Sequence, residues 1–315
     1  MSIDPSDFTA RLRGERSDPQ REEQLRRDRR NRRRKVILGV GAGALVLGGL
    51  GAWLTSVTGE RPENEPYAPQ ALEEALWPDA WPATVRMPFR GSKAAAWKSG
   101  IEGMPLPEAK AGPGLTKAQV YAGLDSVHDF LVDTNLSEDT LTGATPTQAL
   151  ALTAADDPAR RLLDQTLTHP GENPDPLHLV TRFDPDDVRV HGSPRTEGTM
   201  TYQVVAGQLR VKADYTFVYA VTKTSGGRQI VPDGLEATRV VVRRSLELTV
   251  HHGKVRPVAY KVAIGNNDCT RPDDGFIHPL FSDDTSKTKA WPRTDPFTQN
   301  PSTADTNPCH QPTHT

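Results

Sequence analysis

Leu209-Arg210-Val211-Lys212-Ala213-Asp214-Tyr215-Thr216-Phe217-Val218-Tyr219-Ala220-Val221-Thr222 is the stretch whose reading decides the fold. Leu209, Val211, Ala213, Tyr215, Phe217, Tyr219 and Val221 alternate with Arg210, Lys212, Asp214, Thr216 and Thr222. Successive side chains of a strand point to opposite faces, so a period of two over this length makes a long strand with one buried face. Met200, Tyr202 and Val204 precede it on the same pattern, joined through Ala206-Gly207-Gln208. Val240, Val242, Leu246, Leu248 and Val250 form another such face, interrupted by Arg244, and His252-Gly253 then suits a two-residue hairpin turn. The last strand holds Val255, Val258, Tyr260, Val262 and Ile264. Its phase slips by one at Pro257, where a bulge restores the facing and a residue without an N–H is tolerated. Residues 177–183 and 188–191 are weaker strand candidates.

The helices come before this block. Thr116-x-x-Gln119 is a capping box, which satisfies free N–H groups at a helix start. Val120, Leu124, Val127 and Leu131 follow at i, i+4, i+7 and i+11, one apolar stripe, with His128 at its flank as a packed edge residue. Asn135-Leu-Ser137 matches a glycosylation sequon. Thr145-Pro146-x-Gln148 opens a second helix with proline at its first position. Asp157-Pro158 opens a third, carrying Leu162, Leu163 and Leu167.

Helices first and a meander of one-face-apolar strands second is an α+β order. Residues 116–167 for the helices and 199–264 for the sheet resemble the NTF2-like, cystatin-like cone, in which helices pack in the curve of an antiparallel sheet. The resemblance is one of pattern over residues 116–265. It implies a domain that binds or scaffolds, since most such domains do so while a few line the cone with acid–base residues. Domains of this type recur behind a single span in Gram-positive, especially actinobacterial, envelope proteins. The tail, 266–315, is more chain than that fold needs.

Arg244 shares its face with Val242 and Leu246, and Tyr215, Tyr219 and Tyr260 belong to similar faces. A cation and phenols on the concave side of a cone would orient an anionic ligand, so these four are the candidate ligand-binding residues. The competing reading packs the arginine stem and lets its head leave at the sheet edge. Cys269 and Cys309 are the only cysteines. In polar, proline-rich chain outside a membrane they form a disulfide, worth about 3–4 kcal/mol for a loop of some forty residues. The sharper alternative makes Cys269 a nucleophile with His251 or His252 as partner and Arg271 nearby. Asp184, Asp186 and Asp187, and Asp268, Asp273 and Asp274, are acidic loop clusters without the ligand spacing or glycine of a calcium loop. His251 and His252, adjacent, point to opposite faces if extended. There is no Gly-x-Ser-x-Gly, no phosphate-cradling glycine loop and no Cys-x-x-Cys, so neither catalytic residue, metal site nor cofactor is expected.

The address of the chain is written nearer its start. Residues 36–59, Val-Ile-Leu-Gly-Val-Gly-Ala-Gly-Ala-Leu-Val-Leu-Gly-Gly-Leu-Gly-Ala-Trp-Leu-Thr-Ser-Val-Thr-Gly, carry no charge. As a helix they cover roughly 36 Å, enough to cross a hydrocarbon core of about 30 Å. Arg32, Arg33, Arg34 and Lys35 stand directly before them and hold the N-terminus in the cytoplasm. Residues 1–35 carry twelve basic and seven acidic residues, 12 − 7 = +5, and the rest of the chain (38 − 12) − (40 − 7) = −7. With only Ile3, Phe8, Leu12 and Leu25 as large apolar residues, the arm buries no core. Its basic cluster suits anionic headgroups; topology accounts for the arginines without nucleic acid. A cleaved signal peptide competes, but its apolar core is shorter and nothing like Ala-x-Ala follows. Gly39-x-x-x-Gly43 and Ala44-x-x-x-Gly48-x-x-x-Ala52 would let two spans approach closely in a homodimer; a span merely rich in small residues is the plainer reading.

Residues 60–115 form a proline-rich tether in which Trp77, Trp81, Phe89 and Trp97 are expected to lie on the folded domain. The whole reads as a single-pass cell-membrane protein with an extracellular α+β domain, partnered by the bilayer and an envelope membrane protein. The alternative is a cell-surface enzyme, a small hydrolase or isomerase using the concave pocket.

Overall fold

The long alternating stretch is the spine of the sheet. In the computed structural model, β4 (Gln208–Ser225) lies between β3 (Arg195–Val205) and β6 (Thr238–His251), and β7 (Lys254–Gly265) completes the meander beyond β6. Short strands β1 (Lys98–Ser99), β2 (Val188–Val190) and β5 (Arg228–Gln229) add to β3 and β4, making seven strands, all paired antiparallel. The described residues are 83–170, 175–225, 228–229, 236–268, 270–271, 273–281, 284, 293–298 and 311–312, all within the compact unit Glu63–Thr315. The span 36–59, Trp77, Trp81, Cys269 and Cys309 lie outside them. Among the described residues no helix is long and apolar enough to cross a membrane.

The turns follow from backbone chemistry. Ala206-Gly207 joins β3 to β4, and His252-Gly253 joins β6 to β7, both residues of each pair having positive φ. Two such residues in succession match the right-handed twist of the flanking strands. The register slips between Glu247 and Leu248, where Leu248 faces Pro257 and Glu247 faces Ala259, so Val258 is the extra residue of the expected bulge.

The helices cover one face of the sheet. α1 (Lys117–Asn135) starts at Thr116, whose hydroxyl accepts from the Gln119 N–H while the Gln119 side chain accepts from the Thr116 N–H. Its stripe of Val120, Leu124, Val127 and Leu131 is buried and belongs to one cluster with Leu209, Val211, Leu246, Leu248 and Val255. Gly123 permits this contact, since a Cβ there would sit 2.6 Å from Leu209 Cδ2. A single helical turn α2 (Glu138–Leu141), α3 (Thr147–Leu152) and α4 (Pro158–Thr168) follow. Pro146 is the N-cap of α3 rather than its first residue, and the carboxylate of Asp133 on α1 accepts from the Ala149 N–H in place of a local cap.

Residues 177–183 are not a strand. The Asp175 carboxylate accepts from the Leu177 N–H and starts a 3-10 turn, Pro176–His178, after which the chain runs irregularly beneath the sheet to a single bridge between Phe183 and Ile277.

The opposite sheet face is divided. From Leu209 to Phe217, β4 alternates buried with less buried residues, but Val218 to Thr222 are all buried. Phe89 and Ala94 cover Val218, Ala220 and Val241 there, with Trp97 and Phe297 packed against them. Trp97 and Phe297 meet edge to face at 5.6 Å, and Lys93 pairs with Asp295 at 3.2 Å. The proline-rich tether and part of the tail therefore complete the domain. Gly265 is needed for that closure, because a Cβ on it would lie 2.2 Å from Pro296 Cβ.

Truncating Leu124 to Ala should leave a cavity between α1 and the sheet and lower unfolding free energy by about 2–5 kcal/mol, read by urea denaturation of the detergent-solubilised chain. A loss below about 1 kcal/mol would mean that α1 does not carry this core.

Candidate functional site

The face of the sheet beneath α1 holds one cation. Arg244 is 1 % exposed, the bulkiest fully buried side chain among the described residues. Its Nε donates to Asn135 Oδ1 at 2.8 Å, one terminal nitrogen to the Leu177 carbonyl at 2.6 Å, and the other to the Val180 carbonyl at 2.8 Å and Thr181 Oγ1 at 3.1 Å. Four of the five N–H groups of the guanidinium are thus engaged by protein acceptors. No carboxylate forms an ion pair with it among the described residues. Burial drives its pKa down to about 10, against the charges of Tyr219 and Asp175.

Tyr219 closes the same network. Its hydroxyl donates to the Asn135 carbonyl at 2.9 Å and lies 3.3 Å from Thr181 Oγ1, and Thr181 Oγ1 donates to Asn135 Oδ1 at 3.1 Å. Burial pushes the Tyr219 phenol up, opposed by its hydrogen bond with Thr181 and by the charge of Arg244. The network ties the last residue of α1 to two strands and to the irregular segment.

The other two candidate phenols stand apart from it. Tyr215 is the register partner of Arg244, 1 % exposed, yet its hydroxyl has no hydrogen-bond partner. Burial alone pushes that phenol up to about 12. Tyr260, half-buried, has its ring 5.3 Å from that of His178. The His178 Nδ1 lies 3.0 Å from the Asp175 carbonyl, and the Asp175 carboxyl is pushed up by burial, against the Leu177 N–H, His178 and Arg244. The expected cation-and-phenol group is brought together only as Arg244 with Tyr219. Neither of the two expected fates of the Arg244 head occurs: it neither faces open solvent nor leaves at the edge to meet an acid. Backbone carbonyls that the irregular segment leaves unpaired take its protons.

Asn135 and Thr181 were not anticipated as members of the site. Three and four residues beyond Leu131, the apolar stripe of α1 lands on Thr134 and Asn135, and that inward polar pair is the signal in the sequence. Asn135 is 0 % exposed and fully engaged, so in the folded chain its sequon is closed to modification.

The acidic loops meet each other. Asp187 accepts from Arg271 at 2.7 Å and lies 3.8 Å from His278 Nδ1, while His278 Nε2 is 3.0 Å from Asp274. The Asp274 carboxylate holds His278 at Nε2, while Asp187, 3.8 Å from Nδ1, lies at an ion-pair distance and not a hydrogen-bonding one. Asp184 and Asp268 spend oxygens on turns of their own backbone, at the N–H groups of Asp186 and Thr270. Among the described residues no three acidic, histidine or cysteine side chains gather as a metal site. His251 and His252 do not point to opposite faces. The left-handed backbone of His252 turns the rings together, with centroids 4.0 Å apart.

Compared with protein families, with curated proteins and with solved structures, the chain finds no match in any of the three.

Replacing Arg244 by Leu should cost about 3 kcal/mol of stability, because the Leu177 and Val180 carbonyls are left without its N–H groups in the core. Lys should not rescue it, since a point charge cannot span acceptors on both sides of a planar fork. An unchanged denaturation midpoint for Arg244→Leu would mean an open pocket instead.

Tyr215→Phe removes a hydroxyl that bonds to nothing, so it should be neutral or stabilising at pH 7. A phenol raised from 10 to about 12 keeps its proton in the folded state while the unfolded chain loses it. Its contribution is full below pH 10 and is lost as pH climbs to about 12. Melting curves across that window should fall less for Tyr215→Phe than for wild type, and parallel curves would exclude the buried phenol.

Proposed function

We propose that this chain is a single-pass membrane protein, N-terminus in the cytoplasm, whose outer domain is of the NTF2-like type and binds or scaffolds a protein partner within the cell envelope. The observation that carries this reading is that Asn135, Leu177, Val180 and Thr181 engage four of the five N–H groups of Arg244. A guanidinium that has spent its donors on the protein holds the fold and has little left for a ligand, so recognition belongs to the surface.

The anchor is residues 36–59, and Arg32 to Lys35 set its direction. Cys269 and Cys309 are bonded to each other, which suits an oxidising outer compartment. The small-residue face of the span allows a homodimer beside the bilayer and the envelope partner. The helices packed on an antiparallel sheet support the NTF2-like assignment in element order and layering.

One labelling experiment tests orientation and bridge together. A membrane-impermeant maleimide applied to intact cells should leave the chain unlabelled until a reductant is added, and then label both cysteines. Labelling without reductant would refute the disulfide. Labelling that needs cell lysis as well as reductant would refute the outward domain.

A further inference from the structure

We propose that the uncovered half of the outer sheet face is a docking groove for an acidic, extended peptide segment of the envelope partner. This rests on the scaffold reading above and names the chemistry of its partner.

The groove has a volume of about 710 Å³, within the range of ligand sites, and crosses β3, β4, β6 and β7. At about 4.8 Å between strands its length is about 14 Å, the span of a short extended peptide. Phe89, Ala94, Trp97 and Phe297 cover the apolar half of this face, whereas Thr201, Gln203, Arg210, Lys212 and Glu247 on the polar half are exposed.

Charge selects the occupant. Arg210, Lys212 and Arg256 line the groove against one carboxylate, Glu247, although the chain beyond residue 35 carries a net −7. Lys212 is partly neutralised by Glu247 at 3.1 Å, and Arg256 by Asp157 at 3.4 Å. Arg210 is exposed and has no carboxylate partner among the described residues. A basic groove on an acidic domain attracts carboxylates and fixes their register.

The neutral lining favours a peptide. Thr201, Gln203 and Thr249 each supply a donor and an acceptor, the pairing that peptide amides require. Val258, lifted out of the ladder by the bulge at Pro257, stands 58 % exposed beside them as an apolar contact. A flat headgroup layer cannot enter a trough crossing four strands, so the bilayer that suits the basic arm does not suit this site.

The test uses the full chain in detergent micelles and a fluorescein-labelled twelve-residue peptide of alternating Glu and Ser, read by anisotropy. Wild type should bind it, the Gln-Ser peptide should bind at least tenfold more weakly, and raising salt should weaken the acidic peptide most. Arg210→Glu, an exposed change that should leave the melting curve unaltered, is expected to weaken binding at least tenfold. Lys117→Glu, on an exposed cation at the start of α1, should change it less than twofold. Equal binding of the neutral peptide, or equal loss from both variants, would overturn the groove. So would competition by inositol hexaphosphate as strong as by unlabelled peptide, which would mark a general polyanion surface. If Arg210→Glu instead dissolves a dimer seen by sedimentation, the occupant is a second copy and the proposal falls. Capture of a partner by crosslinking in native membranes that survives Arg210→Glu would leave the scaffold reading standing while the groove fails.

Discussion

A guanidinium taken out of water needs protein acceptors for its protons, and the interior of this domain is arranged to supply them for four of the five. Arg244 enters the space between helix and sheet from the middle of β6, and its acceptors come from two places far apart in the chain: Asn135 at the end of α1, and the irregular segment 177–181. A strand at residues 177–183 would have spent those carbonyls on a neighbouring strand. The irregular path and the buried arginine require each other. Losing either would strand polar groups in a medium where each costs about 1–3 kcal/mol.

The same arrangement divides labour between the faces of the sheet. On the inner face, apolar packing and one polar knot hold α1 in place. On the outer face, the proline-rich segment before β1 and the tail after β7 come back to cover Val218, Ala220 and Val241. The half left open carries alternating charges, including the bidentate pair of Arg243 with Asp214. Edge strand β7 is guarded by Pro257 and its bulge, which discourages strand addition.

Much of the fold was legible because local chemistry and long-range packing agree. Alternation in β4, the capping box at Thr116 and the stripe down α1 each state which side is buried, and only one layering satisfies them. The turns at Ala206-Gly207 and His252-Gly253 and the slip at Pro257 were readable for the same reason: each is a backbone preference of the residues themselves. The candidate site was half legible. A lone arginine on an apolar face announces an unusual environment, but Asn135 resembled a sequon and Thr181 sat in an apolar run, so neither announced its partner.

The sequence by itself determined the long strands, the inner face of the sheet, the helix α1, the bulge and the order of helices before sheet, because periodicity, capping and turn preferences are set by neighbours within a few residues. Only the tertiary structure decided that Arg244 is quenched by carbonyls, that Tyr215 bonds to nothing while Tyr219 completes a network, and that the acidic loops around residues 187 and 274 meet at His278. Those outcomes depend on which chain segments, tens to more than a hundred residues apart, arrive within 3 Å of one another. That is fixed by the closing of the whole layered fold and leaves no periodic trace in the residues concerned.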